Sequence, residues 1–310
     1  MNNLLKKTIC ILLSTVTLAV LVSGCGKVPA GESSAQETTA MTTAPARQVR
    51  DGIQTLLVIC LDAFDAPSDS GAYRNGNRAD LILLMVIDEA LGKTTALQLN
   101  PDTMVPFTPP GASEAVQVPL GLVYSYGSGG SDSCLSGSKA VSGLLGGIPI
   151  DHYMTFTMDS IPIVNDMIGG VTVDITDAFP EEYPALQKGE NVTLSGESAA
   201  AFFRFRADDD VDNEAHMERQ RGYMAGLYFP FLKNAGQENF LTKLTLQLGE
   251  RFTTDLTLSQ MMQMLQSLET YPLDENILTL QGTAEASDGE FVFHADTDWL
   301  ERMTEQLFFA

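Results

Sequence analysis

The arginines of this chain concentrate in one short stretch. Four of the ten fall between residues 204 and 221, in a protein whose formal net charge is -22. They are Arg204, Arg206, Arg219 and Arg221. A guanidinium group presents its N–H donors in a rigid fork that matches phosphate and carboxylate oxygens. An anion site is therefore one prediction for this stretch, and ion pairing with the adjacent Asp208-Asp209-Asp210 run is the alternative.

Local patterns around these arginines predict how they are positioned. Residues 214–232 have helical periodicity, which puts His216, Arg219 and Gln220 on one face at i, i+3 and i+4. An extended backbone over residues 203–206 (Phe-Arg-Phe-Arg) would direct both arginines to one side and both phenylalanines to the other. The sequence thus predicts that the two arginines lie beside the polar face of the helix.

The rest of the chain reads as alternating strands and helices. Residues 53–61 and 81–87 are continuous apolar runs, which is typical of strands covered on both faces. Residues 94–100 follow a short turn and are predicted to pair with the second run as a hairpin. Further strands are predicted at 153–158, 171–175 and 277–280, and helices at 133–145, 160–168, 196–203, 214–232, 258–268 and 298–308. This alternation predicts an α/β fold with a central mixed β-sheet sandwiched between α-helices.

The N-terminal residues have the pattern of an export signal. Lys6 and Lys7 precede an apolar run over residues 8–22 and the small-residue sequence Val22-Ser23-Gly24-Cys25. The pattern is similar to a bacterial lipoprotein signal, in which residues 1–24 are removed and Cys25 is acylated. The apolar run is shorter than the about 20 residues of a bilayer-spanning helix, and an uncleaved anchor is the alternative. Either interpretation places the domain at the outer face of the bacterial cytoplasmic membrane.

Charge and composition limit the classes of binding partner that can be expected. Loss of Lys6 and Lys7 with the signal would lower the formal charge from -22 to -24. Nucleic acid is therefore not an expected partner, since affinity for the phosphate backbone rests on Lys and Arg. Residues 26–50 are rich in Ser, Thr, Ala, Pro and Gly, which is typical of a disordered linker between membrane and domain.

Two cysteines remain after the signal and the lipidation site. Cys60 and Cys134 could form a disulfide in an oxidising exterior, or each could serve as a small buried apolar residue. The sequence leaves both alternatives open.

Eight short motifs, in order along the chain, carry a resemblance to a known family. They are Leu61-Asp62, Arg78-Ala79-Asp80, Pro101-Asp102-Thr103, Gly146 with Ile148-Pro149-Ile150-Asp151-His152-Tyr153, Ile168-Gly169-Gly170-Val171-Thr172-Val173, Leu194-Ser195-Gly196-Glu197-Ser198-Ala199, Arg204-Phe205-Arg206 and Glu218-Arg219-Gln220. In order and spacing the chain resembles the LytR-CpsA-Psr family of Gram-positive cell-wall enzymes, in a lipoprotein form from a clostridia-like bacterium. The resemblance covers roughly residues 53 to 227.

The resemblance implies a function and a set of domains. It implies a phosphotransferase that moves a wall glycopolymer, of the teichoic acid or capsular polysaccharide class, from an undecaprenyl-pyrophosphate-type carrier to peptidoglycan by forming a phosphodiester. It implies a three-layer fold with an apolar groove for the polyprenyl tail. The domains are then a signal at 1–24, a linker at 25–52, the catalytic-type domain at 53–232 and a C-terminal α/β extension at 233–310 that packs on the same domain.

Carried over by position, the resemblance assigns roles to individual residues. Asp62 and Asp80 correspond to carboxylates near the metal, which is magnesium with manganese as the alternative, and Asp80 is the more direct ligand. Arg78, Arg204 and Arg206 correspond to the arginines that hold the pyrophosphate. Gln220 and His216 belong to the same substrate-binding cluster, and Asp62, Asp80 and Arg78 are the catalytic candidates.

Two departures from the family pattern put activity in question. Pro101 and His216 stand where the family has arginines, and proline has no N–H to donate. His216 could replace an arginine only in its protonated form, and Asn100 could supply a weaker neutral hydrogen bond. A catalytically degenerate protein that binds lipid-linked glycan or wall polymer is therefore the alternative to a transferase, and a hydrolase of the same lipid is a third hypothesis.

Overall fold

The computed structural model describes residues 48–63, 73–207, 210, 212–274, 276–287 and 290–309. The predicted signal, the lipidation site Cys25 and most of the predicted linker lie outside these residues, as do Asp208 and Asp209. Across the described residues, no helix is both long enough and apolar enough to cross a bilayer.

Twelve strands form within this part of the chain. They are β1 (Ile53–Ala63), β2 (Asn77–Asp88), β3 (Lys93–Leu99), β4 (Met104–Phe107), β5 (Val116–Pro119), β6 (His152–Thr157), β7 (Val171–Ile175), β8 (Gly189–Leu194), β9 (Phe252–Thr254), β10 (Leu278–Thr279), β11 (Gly282–Ser287) and β12 (Glu290–Ala295).

Eight α-helices accompany them in the described residues. They are α1 (Val123–Tyr126), α2 (Gly130–Leu144), α3 (Ile161–Met167), α4 (Gly196–Arg204), α5 (Glu214–Ala235), α6 (Phe240–Leu248), α7 (Leu258–Thr270) and α8 (Thr297–Phe308).

Six strands make the central sheet, in the order β10-β3-β2-β1-β6-β9. The hairpin β2–β3 and the pair β1–β2 are antiparallel, whereas β1–β6 and β3–β10 are parallel, so the sheet is mixed. Strands β4–β5, β7–β8 and β11–β12 form three separate antiparallel pairs. The predicted mixed sheet between helical layers is confirmed.

The apolar runs of β1 and β2 supply two cores, one on each face of the sheet. Alternate residues of β1 point to opposite faces, with Leu56 and Cys60 in one buried cluster and Leu57, Ile59 and Leu61 in the other. Helices α3 to α7 and the β7–β8 pair cover the first face, and α1, α2 and α8 cover the second. Coverage on both faces explains why these strands show no polar alternation.

Several elements differ from the sequence-based expectation. The predicted strand at 171–175 exists as β7, but it pairs with β8 outside the central sheet. Helix α6 and the three-residue strand β9 were not predicted, and β9 is too short to carry a periodic pattern. The predicted helix at 196–203 continues through Arg204 as α4, so residues 203–206 do not form the extended segment that would place both arginines on one side.

Candidate functional site

A β-bulge gives Asp80 its position. Cys60 pairs with Leu81 and Leu61 pairs with Ala79, which leaves Asp80 as the extra residue of β2. A bulge of this kind bends the strand and redirects a side chain. One step further along, Asp62 lies opposite Arg78. Three sequence-predicted site residues therefore meet where the two central strands end their pairing.

The redirected carboxylate of Asp80 contacts helix α5. Its Oδ2 lies 2.9 Å from Nε2 of His216 and accepts a hydrogen bond of 2.9 Å from Nε2 of Gln220. Nδ1 of His216 lies 2.8 Å from the carbonyl of Phe205, which can only accept, so Nδ1 carries a proton. The Gln220 amide is oriented by Gln98, whose Nε2 donates to Gln220 Oε1 at 3.2 Å. Both α5 side chains are buried, so this contact is a fixed part of the site.

Arg204 and Asp62 form a two-pronged ion pair. Nε and Nη2 of Arg204 each lie 3.1 Å from a carboxylate oxygen of Asp62. Arg204 is the last residue of α4, and its side chain is 46% exposed. Because the guanidinium group is half open to solvent, an incoming anion can reach it without unfolding α4.

Asp102 lies between the other two arginines of the predicted anion site. Its carboxylate is 3.5 Å from Nη2 of Arg78 and 3.4 Å from Nη2 of Arg206. Asp102 belongs to the motif Pro101-Asp102-Thr103, and no role was predicted for it. Its carboxylate is shared by two guanidinium groups, both of which can also donate to other anions.

The loop that carries Asp102 is held by buried polar contacts. Asn100 accepts from the backbone N–H of Asp102 at 2.9 Å and donates to the carbonyl of Asp212 at 3.1 Å. The Asn100 side chain is therefore engaged in holding this loop. Gly121 packs against the same loop and β2, and a Cβ there would come 2.6 Å from the Ala79 carbonyl.

The predicted site residues thus meet in three contact groups at one end of β1 and β2. The groups are Asp62 with Arg204, Asp80 with His216 and Gln220, and Arg78 with Arg206 across Asp102. All seven side chains predicted to bind metal or substrate belong to one of these groups.

The two remaining arginines of the cluster have structural contacts. Arg219 is buried, contacts Asp177 and the carbonyl of Phe205, and lies with its guanidinium carbon 5.1 Å from the Phe205 ring centroid. Arg221 pairs with Glu214, an acidic residue outside the Asp208-Asp209-Asp210 run, and its Nη1 donates to Oε1 of Gln98 at 3.0 Å. Arg204 and Arg206 therefore belong to the candidate site, whereas Arg219 and Arg221 stabilise the surrounding structure.

An apolar cavity of about 200 Å³ adjoins the polar groups. It lies between the first face of the sheet and helices α5, α6 and α7. Cys60 of β1, Leu81 of β2 and Phe203 of α4 line it. Each of these residues lies within two positions of Asp62, Asp80 or Arg204. Neighbouring residues on β1, β2 and α4 therefore line the apolar cavity and form the charged cluster.

Cys60 lies between the apolar cavity and the charged cluster, and both affect its thiol. Burial raises the pKa of the Cys60 thiol well above its ordinary value, and the negative charges of Asp80 and Asp62 raise it further. The thiol is therefore protonated and uncharged at neutral pH, as suits a wall of an apolar cavity.

The structure decides the question of the disulfide. Cys60 and Cys134 are both free and buried, and they belong to the cores on opposite faces of the sheet. Sγ of Cys134 lies 3.1 Å from Oγ1 of Thr155. A bond through the sheet is excluded, since two bridged Cα atoms must lie within about 7 Å with their side chains converging.

The carboxylates fit a divalent cation that shares its ligands with a substrate. No group of three or more His, Cys, Asp or Glu side chains in the described part of the chain could hold a metal ion. Magnesium commonly uses one or two carboxylates and completes its shell with phosphate oxygens and water. Asp80 suits this arrangement because its side chain is partly exposed and its contacts are with an amide and an imidazole. Asp62 suits it less well, since Arg204 engages both of its oxygens.

The chain is an α/β protein with a mixed sheet between helices, in which an arginine–carboxylate cluster lies beside an apolar cavity. The LytR_cpsA_psr family matches residues 27–308. The chain belongs to this family. The match extends past residue 227, where the resemblance recognised in the sequence ends.

Named relatives agree with this assignment. The chain is 25% identical over 237 residues, 74% of its length and 71% of the relative's, to the polyisoprenyl-teichoic acid–peptidoglycan teichoic acid transferase TagU of Bacillus subtilis strain 168. Its fold is similar to that of B. subtilis TagV, with a TM-score of 0.63, 20% identity and coverage of 83% of this chain and 96% of that one. A structure of TagT bound to LI-WTA matches with a TM-score of 0.63, 16% identity and coverage of 83% and 90%.

Proposed function

We propose that this protein transfers a wall glycopolymer, of the teichoic acid or capsular polysaccharide class, from an undecaprenyl-pyrophosphate-type carrier to peptidoglycan. The observation that carries the proposal is the direct succession of an apolar cavity and an arginine cluster along β1, β2 and α4. A lipid pyrophosphate needs both, one for its tail and one for its charged head. The TagU relative is named for a reaction of this kind.

The head group would bind when the arginines exchange their carboxylate partners for phosphate oxygens. Arg204 would turn from Asp62 to the phosphate, and Arg78 and Arg206 would exchange Asp102 for phosphate oxygens. Each exchange replaces one charge-assisted hydrogen bond by another, so the arginines stay satisfied. Phosphoryl transfer asks a protein mainly to position the anion and to stabilise its developing charge, which these forks can do.

The transfer step forms one bond and breaks one. A hydroxyl oxygen of peptidoglycan attacks the phosphorus that carries the glycopolymer, and the bond from that phosphorus to the bridging pyrophosphate oxygen breaks. The polyprenyl phosphate leaves with the bridging oxygen, and the hydroxyl proton passes to a carboxylate of the cluster, Asp62 or Asp80. The product is a phosphodiester between glycopolymer and peptidoglycan.

Magnesium, with manganese as the alternative, would be held by Asp80, and by Asp62 once Arg204 has turned away. When bound it would supply positive charge against the pyrophosphate oxygens. His216 and Gln220 hold the Asp80 carboxylate in place from α5.

Anchoring is part of the proposal. Residues 1–24 are removed, Cys25 is acylated, and the linker holds the domain at the outer face of the cytoplasmic membrane. The mass of the mature N-terminal peptide tests this: a lipid-modified Cys25 supports it, and an intact Met1 opposes it.

The transfer is tested with purified protein, magnesium, a short lipid-linked glycan and a peptidoglycan acceptor. Wild type should form a phosphodiester-linked product, and Asp80→Ala should lose at least about a hundredfold of this activity, as is common for groups that stabilise transition-state charge. Glu285→Ala, which changes an exposed carboxylate on β11 that pairs with His294, is the matched control and should keep full activity. Undiminished turnover in Asp80→Ala would contradict the metal assignment.

A binding protein without turnover is the second candidate. It is favoured by the pairing of Arg78, Arg204 and Arg206 with carboxylates and by Pro101 and His216 at the positions of two family arginines. Saturable binding of the lipid-linked glycan with no product would support it. Release of free phosphorylated glycan would instead support a hydrolase.

A further inference from the structure

A polar cleft of about 550 Å³ lies on the outer side of Arg204. Asp159, Pro162, Tyr183, Glu197, Ala200, Ala201, Arg204 and Phe205 line it. Arg204 is therefore shared between this cleft and the cluster that contains Asp62. Any molecule in the cleft lies next to the anion that Arg204 would hold.

One face of α4 forms the floor of the cleft. Glu197, Ala200, Ala201 and Arg204 lie at i, i+3, i+4 and i+7, so they share this face. Glu197 and Arg204 are about 10 Å apart along the helix axis. The two alanines between them leave room for a flat ring to lie against the helix.

Tyr183 supplies an aromatic wall. Its side chain is partly solvent-exposed, with a relative accessibility of 36%. Its backbone is fixed, since its N–H donates to Pro180 and its carbonyl accepts from Leu186, each at about 3 Å. Leu186 is fully buried, so the turn that carries Tyr183 is anchored in the core. The ring is thus an exposed but well-positioned surface.

The charged side chains of the cleft determine what it can accept. Asp159 and Glu197 are exposed carboxylates, which only accept hydrogen bonds, and Oδ1 of Asp159 lies 4.0 Å from Nη2 of Arg204, the cation of the lining. A ligand that contacts both carboxylates and Tyr183 must donate hydrogen bonds and offer an apolar face to the ring. Sugar rings have this combination, with hydroxyl groups at the rim and C–H groups on the faces. A polymer with repeated phosphates would be repelled by the two carboxylates.

We propose that this cleft binds the sugar portion of the acceptor glycan, with Tyr183 as the stacking platform and Glu197 and Asp159 as acceptors for sugar hydroxyls. The inference rests on the proposed transfer and adds to it the place of the acceptor. A saccharide held there presents a hydroxyl beside Arg204, where the phosphorus of the donor would lie. Tyr183 and Glu197 are then positioning residues that set specificity for a neutral saccharide over an anionic chain.

Direct binding to the full chain tests this without turnover. The probe is a soluble disaccharide of N-acetylglucosamine, the uncharged sugar of peptidoglycan, measured by calorimetry without lipid donor. Tyr183→Ala should weaken binding about tenfold, and Tyr183→Phe should keep it, because stacking uses the ring and not the hydroxyl. Ala200→Leu, which keeps a good helix former while filling the floor, should also weaken binding. Phe229→Ala removes an exposed aromatic ring that does not line the cleft and should have no effect.

Turnover separates this inference from the proposed function. In the transfer assay Tyr183→Ala should raise KM for the acceptor while kcat at saturating acceptor and the Kd of the lipid donor stay unchanged. A protein that binds the disaccharide but never forms product would refute the transfer and leave the cleft assignment standing. Equal binding of the disaccharide by wild type and Tyr183→Ala, absence of binding by wild type, or tighter binding of a polyol-phosphate oligomer in this cleft would each overturn the assignment.

Discussion

The two faces of the central sheet are built from the same strands and the same kinds of residue, but an apolar cavity lies on one face and a buried core of described residues lies on the other. On β2, Leu83 points to the face with the apolar cavity, and its neighbour Leu84 points into the closed core on the other side. Both are buried. Burial from water and close packing are therefore separate properties. A residue can be dry and still lack neighbours on one side.

The largest effect that separates the two faces should come from truncation. Leu84→Ala should lower the free energy of unfolding by about 4 kcal/mol, because it opens a new cavity in a closed core. Leu83→Ala should cost only about 2 kcal/mol, since its side chain already borders empty space. Urea denaturation of both variants measures the difference. Equal losses would mean that the cavity is closed in solution.

Larger side chains should produce a smaller difference in stability between the two faces, by overpacking and not by opening a cavity. Ile59→Phe, on the closed face of β1, should destabilise the protein by about 1–3 kcal/mol through overpacking. Val58→Phe, on the cavity face, should cost less than about 1 kcal/mol, since the cavity receives the ring. The same Val58→Phe variant should bind a polyprenyl phosphate more weakly than Ile59→Phe does. If the two variants bind the lipid equally well, the tail is not in this cavity.

The smallest difference should be seen in the two thiols. Burial raises the pKa of both Cys60 and Cys134, so little thiolate forms at pH 8 and alkylation should be slow, becoming faster as the pH rises. Peptide mass mapping after treatment with N-ethylmaleimide gives each rate separately. Added polyprenyl phosphate should slow the reaction of Cys60 and leave that of Cys134 unchanged. Equal protection of both would point to a general stabilisation instead of occupancy of the cavity.

The central strands could be predicted from sequence, whereas the cavity could not. Residues 53–61 and 81–87 are continuous apolar runs, which identified β1 and β2 and the coverage of both faces. A run without alternation says nothing about which face is closely packed. That depends on how α5, α6 and α7 pack on the sheet, and α6 was not predicted from the sequence although its buried residues Phe240, Leu241, Leu244 and Leu248 have helical spacing.

The sequence indicated which residues lie in the candidate site better than it indicated the contacts between them. Motif order brought together Asp62, Arg78 and Asp80, and their meeting depends on a register shift that no local pattern reveals. The place of Asp102 between Arg78 and Arg206 was missed for a related reason. A loop aspartate has no sequence signature for a contact made across about 100 residues of chain.

The two edges of the central sheet are both closed by segments from the last quarter of the chain. Strand β9 pairs with β6 at one edge, and β10 pairs with β3 at the other. During synthesis, β1, β2, β3 and β6 are complete long before either partner is made. A chain that stops after α5 would therefore present unpaired N–H and C=O groups along β3 and β6, which favours edge-to-edge aggregation. The sheet is complete only when the chain has been synthesised through residue 279. The C-terminal strands then pair with the two edges and protect them from aggregation.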